Sequence, residues 1–122
     1  MAITRFDPFR EFAVPPVDIY ETATHDLVLK AELPDVARES IEVTVEHNIL
    51  RLKGTRKAPA DVKEEQYRRI ERAYGTFSRS FTLPSTVDAS KVSAEYKNGV
   101  LTITLPFREE AKPRTINVDV AA

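Results

Sequence analysis

From position 17 onward, apolar and polar residues alternate with a period of two, the spacing that sends successive side chains to opposite faces of a β-strand. Leu27, Leu29, Ala31 and Leu33 alternate with Val28, Lys30 and Glu32 until Pro34 stops the run. Ile41, Val43 and Val45 alternate in the same way with Glu42, Thr44 and Glu46. His47-Asn48 separates that run from residues 49–53. Asn tolerates positive φ, so a tight hairpin is predicted there, with Gly54 ending its second strand. Over 76–83, Phe77, Arg79, Phe81 and Leu83 share one parity and Thr76, Ser78, Ser80 and Thr82 the other, before Pro84. Val92, Ala94 and Tyr96 share a side. Asn98-Gly99 is the strongest short hairpin signal in the chain, and Leu101, Ile103 and Leu105 continue beyond it to Pro106. With residues 17–21 this makes at least seven short strands, the pattern of an all-β antiparallel sandwich with little helix.

Three segments depart from that pattern. Residues 1–16 form a short N-terminal arm in which Phe6, Phe9 and Phe12 recur every third position and Pro15-Pro16 closes the segment. Asp7-Pro8 reads as an N-cap and first helical position, and a turn or two over 8–13 is too short to stand alone. Its phenylalanines either complete the domain's core or serve as an intermolecular sticky arm. Residues 61–72 hold eight charged side chains in twelve, four of each sign, with Val62, Tyr67 and Ile70 the only sizeable apolar ones. This stretch is either a solvated helix or a short strand, around Tyr67, Arg68, Arg69 and Ile70, carried on a long loop. The tail, 108–122, opens with a polar linker and then alternates again at Ile116, Val118 and Val120. It reads as a tethered spare strand, and the roughly ten linker residues span about 30 Å, enough to reach a neighbouring subunit or the same one.

Length and composition narrow the function. At 122 residues and 42% hydrophobic content the chain is one globular domain, 17–107, flanked by arm and tail. A net charge of -1 argues against nucleic acid and anionic membrane as partners. The absence of cysteine removes disulfides, thiolate metal sites and thiol nucleophiles, and with no apolar leader in view the expectation is a cytoplasmic protein. The histidines, His25 and His47, lie beside separate predicted turns, and Gly54, Gly75 and Gly99 have no phosphate-cradling spacing. No nucleophile elbow surrounds any serine. No catalytic, cofactor or metal site is therefore expected, and the chain is read as a non-enzyme. What it does carry is surface for strand addition and apolar side chains that one subunit leaves unsatisfied.

Several stretches together resemble a small heat-shock protein of the α-crystallin family, bacterial type. They are Val17-Asp18-Ile19-Tyr20-Glu21-Thr22, Ala31-Glu32-Leu33-Pro34, Ile49-Leu50-Arg51-Leu52-Lys53-Gly54, Tyr74-Gly75-Thr76-Phe77-Ser78-Arg79-Ser80-Phe81-Thr82-Leu83-Pro84 and Ala94 followed by Asn98-Gly99-Val100-Leu101. Ile116-Asn117-Val118 is similar to the family's Ile-X-Ile/Val anchor, and Asp7-Pro8-Phe9-Arg10-Glu11 to the start of its N-terminal arm. Two departures stand out: the arm is shorter than is usual in the family, and Asp35 occupies a position where glycine often follows Leu-Pro.

The resemblance implies an immunoglobulin-like β-sandwich and an ATP-independent holding chaperone that captures partly unfolded clients before they aggregate. It implies a homodimer in which Tyr67, Arg68, Arg69 and Ile70 cross to pair beside the partner's Val17, Ile19 and Tyr20, and larger homo-oligomers built by tail docking. Ile116 and Val118 are then the tail anchor, with Ile41, Val43, Val92 and Ala94 the expected walls of its groove. Phe6, Phe9 and Phe12 are expected to serve client binding or assembly, and Arg79 an ion pair at the dimer interface. The competing reading is a co-chaperone adaptor of sandwich fold that holds no client.

Overall fold

A computed structural model describes residues 15–121. Among them are seven strands and no α-helix. The strands are β1 (Val17–Glu21), β2 (Asp26–Glu32), β3 (Glu42–Glu46), β4 (Ile49–Arg56), β5 (Gly75–Thr82), β6 (Ser93–Lys97) and β7 (Val100–Pro106). They form two antiparallel sheets, one ordered β1-β2-β7-β6 and the other β3-β4-β5. The expected sandwich is thus observed, and β1, β6, β3 and β5 are its edges.

The two predicted hairpins form as the turn chemistry requires. His47 and Asn48 take φ of 52° and 61°, and Asn98 and Gly99 take 54° and 76°, so both connections place two successive residues in the left-handed region. That geometry matches the right-handed twist of the strands it joins. It sets the register: Glu46 opposes Ile49, and Lys97 opposes Val100.

Alternation then delivers one side chain in two to the space between the sheets. Leu29 and Ala31 of β2, Leu50 and Leu52 of β4, Phe77 of β5, and Leu101, Ile103 and Leu105 of β7 are all buried in one cluster. Fourteen hydrophobic side chains are buried in all, and Arg56 is the single charged one among the described residues.

One boundary differs from the sequence reading. Gly54 does not end β4; the strand runs on to Arg56. The glycine lies where the Phe77 ring crosses the backbone: a Cβ there would sit 2.4 Å from Phe77 Cζ. It marks a close approach within the sandwich, and a close approach looks the same in sequence as a strand stop.

Candidate assembly site

β3 and β6 come from different sheets, yet their edges meet along one side of the sandwich. A groove of about 420 Å³ runs between them, lined by Arg38, Ile41, Val43, Ala94, Glu95, Tyr96 and Leu101. Three of the four expected walls, Ile41, Val43 and Ala94, are therefore together. The fourth, Val92, packs against the core cluster and does not line the groove. Tyr96 and Leu101 were missed as walls because their apolar parity reads simply as core. They face each other across the β6–β7 pair, two residues beyond Ala94 and Ile103, and that spacing is the signal that could have found them. Tyr96 reaches under the groove and donates its hydroxyl hydrogen bond to the Leu33 carbonyl.

The tail is the least buried part of the described chain. Apart from a short 3-10 turn, Glu109–Ala111, it has no regular structure, and Ile116 is 78% and Val118 88% exposed. Its root is fixed: Val87 and Phe107 form a β-bridge and Arg108 N–H donates to the Thr86 carbonyl at 2.7 Å. Ile116 and Val118 are spaced as Ile41 and Val43 are, two residues apart, so in extended chain both members of each pair project to one side.

β1 is an edge strand whose register with β2 runs from Val17 opposite Ala31 to Glu21 opposite Leu27. Ile19 and Tyr20 are 46% and 44% exposed, while Val17 packs on the core. Tyr67, Arg68, Arg69 and Ile70 lie far along the connection between β4 and β5, which is neither strand nor α-helix. Its one regular element is a 3-10 turn, Glu64–Gln66, closed by Lys63 N–H donating to Gln66 Oε1 at 2.6 Å. A short, charged segment has no apolar stripe to hold a helix, and a lone strand has no ladder to join. The Tyr67 hydroxyl is shut off from solvent with no hydrogen-bond partner among the described residues.

Arg79 shares the inward parity of Phe77, as its position in the alternation requires. Its guanidinium lies 4.9 Å from the centre of the Phe81 ring, and Nη1 donates to the carbonyl of buried Pro15 at 2.9 Å. The arginine thus ties the entry of β1 to the edge strand β5 of the other sheet. No carboxylate among the described residues forms a salt bridge with it. Phe6, Phe9 and Phe12 lie outside the described residues.

No three His, Asp or Glu side chains among the described residues are grouped to hold a metal ion. None of the described helices is long and apolar enough to cross a membrane.

Two antiparallel sheets packed face to face, with a groove between edge strands and an exposed C-terminal tail, define an all-β sandwich class. The model of the Hsp20/alpha crystallin family matches residues 19–120. The chain belongs to that family. It is similar to spore protein SP21 of Stigmatella aurantiaca, 42% identical over 86% of this chain and 62% of the relative. It also resembles small heat shock protein C4 of Rickettsia felis, 38% identical over 85% of this chain and 63% of the relative. The match thus takes in less than two thirds of these two relatives' length. Among solved structures, a small heat-shock protein from Xylella fastidiosa superposes with a TM-score of 0.74 at 42% identity. That match covers 88% of this chain and 97% of the other, and the structure is described as revealing a distinct high order structure. Heat shock protein 16.0 from Schizosaccharomyces pombe superposes at 0.72 and 30% identity, over 87% and 97%.

Proposed function

We propose that this chain is an ATP-independent holding chaperone that assembles with copies of itself and binds partly unfolded proteins. The observation that carries the reading is the pairing of features that one subunit leaves apart. Pegs at Ile116 and Val118 stand in solvent, and a groove between β3 and β6 has walls of matching spacing. An apolar cavity of about 150 Å³ already accommodates benzene. A groove of 420 Å³ therefore has room for both pegs. The apolar walls of the groove, Ile41, Val43 and Ala94, exposed when tails leave, are suited to the hydrophobic segments of a damaged client.

Strand exchange supplies the dimer. Residues 67–70 pair with the edge of a partner's β1, beside Val17, Ile19 and Tyr20, and the partner returns the contact, which makes the interface two-fold. The isolated Tyr67 hydroxyl supports this, because a buried and unsatisfied group costs about 1–3 kcal/mol and favours a rearranged arm. Arg79 keeps donors beyond the one given to Pro15, available to a carboxylate of the second subunit. Phe6, Phe9 and Phe12 join the client- or assembly-binding surface.

The test is light scattering of a heat-labile client with this protein added and no ATP, alongside the protein's mass in solution. Suppression of aggregation at stoichiometric ratios, by a protein of dimer mass or above, is expected. A monomer that leaves client aggregation unchanged would return the reading to an adaptor.

A further inference from the structure

The arm between β4 and β5 has two stems, and both are tied to the same turn. At the first stem Arg56, the last residue of β4, is buried: its Nε donates to the Pro34 carbonyl at 2.9 Å and its Nη1 to the Ala73 carbonyl at 3.2 Å. At the second stem Arg72 Nη2 meets Asp35 Oδ2 at 3.0 Å, and Nη1 donates to the Tyr74 hydroxyl at 3.2 Å. The Arg72 guanidinium also lies 5.4 Å from the centre of the buried Tyr74 ring. Residues 34 and 35 therefore hold the arm where it leaves the sandwich and where it returns.

The two ties differ in character. Arg56 is inside the protein and bonds to backbone. Arg72 and Asp35 are 52% and 68% exposed and face water. Asp35 also sits at a φ of 60°, a backbone state that glycine adopts freely and aspartate tolerates. A side chain that accepts that strain brings a carboxylate that bonds Arg72.

We propose that Asp35 and Arg72 are positioning residues for strand exchange, a solvent-facing latch that holds the arm's stem in the direction from which residues 67–70 reach a partner's β1. The proposal rests on the strand-exchange reading. A latched stem presents one arm orientation; an unlatched one samples many, and the ordering cost then falls on the contact between subunits. Electrostatics agree with the geometry. The hydrogen bond to Asp35 raises the Arg72 guanidinium above its ordinary pKa. Burial and then the nearby charge of Arg72 lower that of Arg56, which Asp35 partly offsets.

The experiment mixes isotopically light and heavy full-length protein and follows mixed species by native mass spectrometry, at low and high salt, for wild type, D35N, D35G, R72Q and D35N/R72Q. D35G keeps the turn, because glycine takes the same φ without strain. Each single variant is expected to exchange about two- to fivefold faster than wild type, the range of an exposed ion pair. The double variant should go no faster than either single one. High salt should speed the wild type and leave the variants unchanged. If wild type exchanges and D35N and D35G match its rate at both salts, or the double variant multiplies the single effects, the latch is wrong and strand exchange stands. If wild type is a monomer, strand exchange fails and the latch falls with it.

Discussion

Gly54 shows how little room a single residue has inside this sandwich. A Cβ at position 54 meets three atoms of the Phe77 ring at 2.4, 2.9 and 3.2 Å, and Phe77 is itself 1% exposed, so the ring has nowhere to retreat. Gly54→Ala is expected to cost about 1–3 kcal/mol through overpacking, read as a lower midpoint in urea unfolding with an unchanged slope. Asp88 illustrates the opposite, an exposed group shaped by local bonds. Its carboxylate accepts from Ser90 Oγ at 2.6 Å and from Ser90 N–H at 3.1 Å. The Ser90 hydroxyl first, then its backbone N–H and the charges of Lys91 and Arg108, hold the Asp88 carboxyl below its ordinary range. A group whose folded pKa is depressed adds stability that is present above its unfolded value, near pH 4, and is lost as pH falls through the folded one. Ser90→Ala should therefore raise the Asp88 titration midpoint, followed by NMR of its side-chain carboxyl, and remove that part of the acid sensitivity. Residue patterns also carried readings that contacts had to complete. The parity of Arg79 was plain from Phe77 and Phe81, but its bond to the Pro15 carbonyl, 64 positions earlier in the chain, was not.

At the scale of elements, the strands were legible and the arm was not. Alternation and the dipeptides His47-Asn48 and Asn98-Gly99 are local signals, each set by neighbours a few residues apart, and both hairpins follow from them. Residues 61–72 carry no such signal: with charges balanced and few apolar positions, neither helix nor strand is favoured until something outside the segment pairs with it. The alternation at Ile116, Val118 and Val120 is legible, yet the described tail forms no strand and leaves all three exposed. Deleting residues 115–122 is expected to lower the particle mass toward that of dimers while the circular dichroism of the sandwich is preserved. An unchanged mass distribution would rule out tail docking. The groove's walls show the limit of reading elements singly. Val92 shares the parity of Ala94 and Tyr96, yet it does not line the groove, because it lies just before β6 at the end of the 3-10 turn Ala89–Lys91.

For the whole molecule, the sandwich core stays within one subunit, while the proposed dimer contacts lie at its edges. Strand addition at β1 then links folding to assembly, so the thermal midpoint should rise with protein concentration over a dilution series in calorimetry. A midpoint independent of concentration would mark a self-sufficient monomer. The all-β class, the strand positions, both tight turns and the spacing of Ile116 and Val118 can be read from residue order, because alternation and turn chemistry depend on near neighbours. Tertiary structure alone decided the rest. It brought Ile41 and Val43 beside Ala94, Tyr96 and Leu101, laid Phe77 over Gly54, and put Asp35 against Arg72. Each of those contacts joins segments at least 20 residues apart, and which segments meet is settled by how two twisted sheets pack to exclude water, a property of the whole chain that no local pattern encodes.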